Sequence, residues 1–233
     1  MSVWVPVMLQ RWHEISFFHW PCEPAILQKR LPPQLRIDKF DGTAWVSLTP
    51  FFLKGLRPPL MPQALGLDFP ETNLRTYVQG PSGPGIWFFS LDAASCRAVI
   101  GARTTIGLPY RLANMNVRIT DTTNTYSSNR RGRAAVSITV EKGARLAVKS
   151  PLDVFLTERY RLYAVHLSTL LTVEVSHPPW VLNAARIVEF SEGLRAAASL
   201  PAGDAPLLSY HSTGVDTRIG LPIPIARTRN RYE

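Results

Sequence analysis

Cysteine is nearly absent: the 233 residues carry two, Cys22 and Cys96. Two cysteines cannot staple a disulfide scaffold, and without a C-x-x-C pair they offer neither a thiol-redox motif nor part of a zinc site. Both are read as reduced, packed thiols. Long apolar runs are missing as well. The longest stretch without Asp, Glu, Lys or Arg, residues 76–91, is too short and too rich in glycine and proline to cross a bilayer as a helix, so no membrane anchor is expected. The segment MSVWVPVMLQR has no basic residue ahead of its short apolar run and no small-residue cleavage pattern, which argues against a secretory signal and for a cytoplasmic protein. The histidines, at 13, 19, 166, 177 and 211, lack the close spacing of a metal site. No glycine-rich phosphate loop and no G-x-S-x-G elbow occurs, so neither a metal nor a cofactor is expected. His19 and His177, set beside Trp and Pro, are read as packed histidines.

What is present points to β structure. Hydrophobic residues make up 45% and aromatics 10%, enough for a large core, and 20 prolines cut the chain into pieces that suit strands better than long helices. One mainly β domain over residues 1–233 follows, with a basic tail from about 222 to 233. The net charge of +9 raises the question of nucleic acid. Its visible clusters are Arg130, Arg131 and Arg133 in a turn and Arg227, Arg229 and Arg231 in the tail, with only Tyr126 and Tyr232 nearby to stack. A solvated loop and a frayed terminus explain them better than a nucleic-acid surface does.

Along the chain, residues 24–30 read as a short helix stopped by Pro32 and Pro33. Runs 35–40 and 43–51 flank Asp41-Gly42, the dipeptide of a tight hairpin turn, and runs 73–78 and 86–92 flank a Gly-Pro-rich turn. Cys96, Val99, Ile100 and Arg103 recur at helical steps within 93–106. Strands are expected at 115–120 and 134–140, joined by the arginine turn, and at 159–166, 171–177, 181–190 and 207–213, with a further helix at 191–199. Ser150-Pro151-Leu152-Asp153 has the cap, the proline and the acid of a helix start.

Two constellations could carry chemistry. In Glu71-Thr-Asn73-Leu-Arg75-Thr-Tyr77, strand alternation places Glu71, Asn73, Arg75 and Tyr77 on one face. The aromatic run that follows, Ile-Trp-Phe-Phe, implies a sheet covered on both sides, where a buried acid and guanidinium need each other or a ligand. A solvent-facing strand is the alternative. The second constellation is Gly101-Ala102-Arg103-Thr-Thr-Ile-Gly107-Leu108-Pro109-Tyr110-Arg111. It resembles the acetoacetate decarboxylase superfamily, whose members carry Gly-Arg-Glu, two spacers, Gly-Phe-Pro and a lysine pair.

Within that superfamily the chain is similar to the YqjF-like group, a family of unknown function (domain of unknown function 2071). The resemblance rests on HWPCEP, DGTAWVSLTPF, ETNLRTYV, GIWFFSLDA, ARTTIGLPY, FLTERYRLY and HPPW, in order over most of the chain. It implies an acetoacetate-decarboxylase-like barrel or cone of antiparallel strands with a few short covering helices, and it implies self-association, which residue patterns alone do not address. The departures matter. Where the decarboxylase uses a lysine to form a Schiff base, this chain has Tyr110, and Arg111 keeps the neighbouring charge without a free amine. Glu71 matches the acid facing that lysine. The resemblance therefore implies a retained pocket with altered chemistry.

Glu71, Tyr110 and Arg103 are the candidate catalytic residues: Glu71 to accept a proton, Tyr110 to donate one to an enolate oxygen, Arg103 to hold charge. Asn73, Arg75, Arg111 and Glu158 are candidates for binding a small anionic molecule, although Glu158, in the run Glu158-Arg159-Tyr160, also fits a helix cap. This set suits a lyase, hydratase, hydrolase or isomerase on an oxo or enol acid. A binding or sensing protein using the same pocket, and an Arg103–Glu71 pair that only joins helix to strand, are the alternatives.

Overall fold

The computed structural model describes residues 3, 5–132 and 134–225. In chain order the elements are β1 (Met8–Cys22), α1 (Pro24–Gln28), β2 (Arg36–Ile37), β3 (Ala44–Arg57), a single 3-10 turn (Gln63–Leu65), β4 (Leu67–Gly80), β5 (Gly83–Ala93), α2 (Cys96–Thr105), β6 (Tyr110–Leu112), β7 (Asn114–Ile119), β8 (Thr123–Asn129) and β9 (Ala135–Arg145). Then follow α3 (Pro151–Thr157), β10 (Arg161–His166), β11 (Thr169–Ser176), β12 (Asn183–Glu192), α4 (Leu194–Ala197) and β13 (Leu208–Pro224).

Strands β1, β3, β4, β5, β10, β11 and β13 pair in that order, and β13 pairs back to β1, which closes a barrel. Within this ring only β5 and β10 run parallel. From β13 the sheet also continues through β12, β9, β8 and β7 as a second layer. Alternation along β3 shows why both faces are dry. Val46 and Leu48 point outward to Phe18, Trp20, Leu74, Ile138 and Val140 between the layers, whereas Phe51 and Leu53 point inward with Ile15, Phe17 and Trp180.

Closing a ring with strands as long as β1 and β13 requires bends. β1 bulges after His13, where Glu14 has φ 48°, opposite Gly214 with φ 114°. A Cβ on Gly214 would sit 1.8 Å from the Trp12 carbonyl oxygen, so only glycine fits. The bulge turns the Glu14 carboxylate toward the second layer, where Lys142 and Asn124 each donate from 2.9 Å. Burial pushes Glu14 up, but donors from His211, Asn124 and Lys142 outweigh it and hold the carboxyl down at about 2.

Several expectations need correction. Asp41 and Gly42 do make the tight turn, with φ of 47° and 80°, but the hairpin is a single bridge, Phe40 to Thr43. The first arm, β2, leaves to pair with β4 instead. The arginine turn joins β8 to β9, because the polar run 123–129 is itself a strand. Its Asn124, Tyr126 and Ser128 are buried against Glu14, Ser16 and Asp92. Arg130 is not a solvated charge: its Nε donates to fully buried Asp92 at 2.6 Å. Arg131 is exposed, while Arg133 and the tail arginines lie outside the described residues. Cys96 is exposed rather than packed. Among the described residues no helix is long and apolar enough to cross a membrane.

Ser150 caps α3 as expected, accepting from the Asp153 N–H at 3.1 Å while the Asp153 carboxylate accepts from the Ser150 N–H at 2.8 Å. Ser150→Ala is expected to lower the unfolding free energy by about 1 kcal/mol, measured by urea denaturation.

A buried acid and an unpaired arginine in the barrel

Inside the barrel lies a cavity of about 550 Å³, walled by β1, β3, β4, β5, β10, β11 and α2. Alternation along β4 delivers three polar side chains to it, Glu71, Asn73 and Arg75, while Leu74 points the other way into the interlayer core. Thr49, the cross-strand neighbour of Asn73, joins them from β3. Gly107 brings in the fifth polar group. With φ 75° and its Cβ position 2.3 Å from the Val165 carbonyl oxygen, it ends α2 in a turn no other residue fits, and Pro109 then feeds Tyr110 into β6 beside Leu91.

The Tyr110 hydroxyl donates to Glu71 Oε2 at 3.0 Å. Glu71 is only 3% exposed, and the loss of water raises its carboxyl to about 7; Tyr110 and Asn73 offset part of this by hydrogen bonding and the Asp92 charge adds to it. Tyr110 is pushed well up by burial and by the acid beside it, so it stays a donor. Near neutrality the pair thus exists both with and without a proton on Glu71.

Arg75 is buried with no carboxylate within ion-pair distance among the described residues. It reaches the Leu156 carbonyl oxygen at a long 3.5 Å, lies over the Phe17 ring at 5.9 Å, and its Nε has no hydrogen-bond partner. Asn73 Oδ1 and Thr49 Oγ1 are also buried without partners. The other lining arginines differ: Arg159 is paired with Asp38 at 2.9 Å, Arg161 with Glu174 at 3.3 Å, and Arg97 is exposed on α2. Orphaned polar atoms converging on a hollow mark a place where a ligand completes the hydrogen bonding.

Beneath Arg75 a chain of hydrogen bonds fixes the floor. Tyr77 OH donates to the Leu156 carbonyl oxygen at 2.7 Å, so the 2.6 Å contact with Ser47 must be donated by Ser47. Ser47 Oγ then accepts from His19 Nδ1–H at 2.6 Å. His19 is neutral, pushed well below the usual histidine range by burial and then by Arg75.

Three expected site residues lie elsewhere. Arg103 is exposed and does not line the cavity; α2 turns Ala98, Ala102 and Thr105 inward, and Arg103 falls on another face. It does not pair with Glu71. Arg111 follows Tyr110 in a strand, so its side chain leaves by the opposite face and is exposed. Glu158 is occupied: Lys149 donates to its Oε1, as does the Trp180 N–H at 3.0 Å, and Tyr160 donates to Oε2. It ties the end of α3 to the turn at Trp180 rather than facing the cavity. Sequence reasoning missed Thr49, Trp12, His177 and Trp180 as cavity residues. His177, lowered chiefly by burial, packs on Trp12, Tyr160 and Trp180, as a packed histidine would. The residues lining the cavity include no lysine.

Comparison with known proteins agrees with this architecture. Over 217 residues the chain is 39% identical to the uncharacterized protein YqjF of Bacillus subtilis strain 168, covering 90% of this chain and 88% of that one. Among solved structures, the enduracididine biosynthesis enzyme MppR complexed with pyruvate aligns with a TM-score of 0.66 at 13% identity, over 97% of this chain and 93% of the other. The acetoacetate decarboxylase of Legionella pneumophila aligns with a TM-score of 0.63 at 14% identity, over 97% and 92%. Residues 9–216 match the profile of domain of unknown function 2071, described as an uncharacterized conserved protein. The chain therefore belongs to the domain of unknown function 2071 family, the family of YqjF, and has the acetoacetate-decarboxylase-like fold.

Proposed function

We propose that this protein binds a small organic acid inside the barrel and moves a proton on it, as a lyase, hydratase or isomerase of an oxo or enol acid that works without a Schiff base. The observation that carries this reading is the buried Glu71–Tyr110 pair four residues along β4 from a buried arginine that has no acid of its own among the described residues. Glu71 and Arg75 are four residues apart on one face of β4, about 13 Å along the strand with Asn73 midway, so an acid whose carboxylate is held by Arg75 runs its carbon chain past Asn73 toward Glu71. Glu71 then takes a proton from carbon, and the Tyr110 hydroxyl faces the oxygen on which negative charge develops. Tyr110 cannot form an imine, so an electron sink has to come from such hydrogen bonding. That a protein of this fold is described in complex with pyruvate supports oxo acids as the class to try first, by analogy of fold.

Exchange of the carbon-bound protons of 2-oxo acids in deuterium oxide, followed by proton NMR, tests this directly. The protein is expected to accelerate exchange, and Glu71→Gln and Tyr110→Phe to remove the acceleration. If both variants exchange at the normal rate the assignment is wrong. If the normal protein binds the acids yet leaves their protons in place, it is a binding or sensing protein.

A further inference from the structure

We infer that the acid taken by this site carries an apolar tail of several carbons. The inference rests on the reading of Arg75 as the anchor of a carboxylate, and it follows from how the rest of the cavity is built. Its unpartnered polar groups are confined to one strip, Asn73 and Arg75 on β4 with Thr49 beside them, and the Glu71–Tyr110 pair borders that strip. Around it most of the lining is hydrocarbon, and the further charged groups there are engaged or at the surface: Arg159 pairs with Asp38, Arg161 with Glu174, and Arg97 is exposed. Phe88, Leu162 and Val173 form the wall on β5, β10 and β11, and Leu53, Leu56 and Leu67 continue it toward the connection between β3 and β4. On that connection Met61 and Leu65 line the cavity and are themselves 38% and 66% exposed, so the cavity reaches the surface there.

The volume points the same way. Cavities of about 300–1,000 Å³ enclose ligands of drug size, and this one holds about 550 Å³. A three-carbon acid on Arg75 would leave most of that space as water against hydrocarbon, which is unfavourable. On its α2 side the cavity is kept wide by the short side chains of Ala98, Ala102 and Thr105. An acid head in the polar strip with an alkyl chain along the remaining wall fills both halves.

Isothermal titration of straight-chain 2-oxo acids from pyruvate to 2-oxodecanoate tests the inference, using the normal protein, Arg75→Met and Ala102→Phe. Burying one methylene contributes about 0.8 kcal/mol, so Kd is expected to fall about fourfold per added carbon until the cavity is full. Ala102→Phe is expected to weaken the long acids more than pyruvate, and Arg75→Met to weaken all of them. A flat series, with pyruvate bound as tightly as 2-oxooctanoate and lost in Arg75→Met, would overturn the tail while leaving the acid site standing. A chain-length gain that 1-octanol shares and Arg75→Met does not touch would overturn the acid site beneath it. Absence of binding across the series would overturn both.

Discussion

Glutamine in place of Glu71 is expected to stabilise the protein by about 3 kcal/mol at pH 8 and to leave it unchanged at pH 4. Below about pH 4.5 the carboxyl is protonated in the folded and the unfolded chain alike, so removing its acidity changes nothing. Between pH 4.5 and about 7 the unfolded chain ionises while the folded one keeps its proton. The native state then binds more protons and loses stability as pH rises. Above about pH 7 the loss is complete and constant. At about 1.4 kcal/mol per pH unit, the interval from 4.5 to about 7 corresponds to about 3 kcal/mol. Glutamine retains an oxygen for Tyr110 and never ionises, so it escapes the loss. Urea denaturation of both proteins at the two pH values measures it. A variant less stable at pH 8 would mean that Glu71 is a structural partner of Tyr110. The same substitution is expected to lower proton-transfer turnover by about 10²–10⁴-fold, the usual contribution of a positioned base.

Arg75→Met is expected to raise the Kd for 2-oxo acids by about thirtyfold or more without reducing stability. Losing one partner of a buried charge pair costs about 2 kcal/mol or more in binding, and about 2 kcal/mol is thirtyfold in Kd. Stability behaves differently. Truncating a buried ion pair normally strands the other charge, but no carboxylate among the described residues is paired with Arg75, so none is stranded. Burial already lowers the Arg75 pKa, which means the folded state disfavours the charge that methionine removes. Binding by calorimetry and melting temperature on the same samples separate the two effects. A fall in melting temperature with affinity intact would assign Arg75 to the scaffold. Together the two substitutions test the proposal that the barrel retains an acid and an arginine, at a cost in stability, to serve a ligand.

How far the sequence revealed this depends on the element. Glu71, Asn73 and Arg75 were legible as one face because β4 runs through the barrel as a regular strand, and its irregularity with β5 falls after Leu74. Tyr110 was legible because the run Ala102 to Tyr110 resembles the decarboxylase motif without a gap and sets Tyr110 at the lysine position. Arg103 and Arg111 were misplaced because a shared motif conveys residue identity but not direction. Helical spacing turns Ala98, Ala102 and Thr105 inward, and strand alternation sends Arg111 out beside an inward Tyr110. β8 escaped notice because its inward residues are polar, and their partners Glu14, Ser16 and Asp92 are distant in sequence. The full lengths of β1 and β13 depend on bulges at Glu14 and Gly214 that no local pattern announces. His177 and Trp180 reach the cavity only through ring closure, which brings together segments that share no motif, and Thr49 does so through its pairing opposite Asn73.

Titration of the Glu71 side-chain carboxyl by carbon-13 NMR, with its resonance assigned through Glu71→Gln, tests the dry, proton-sharing site most directly. A midpoint near 7 is the expected result. A midpoint at or below 4.5 would mean that water or a cation already satisfies the carboxylate, and the cavity would no longer be a place where this acid exchanges a proton with a bound substrate.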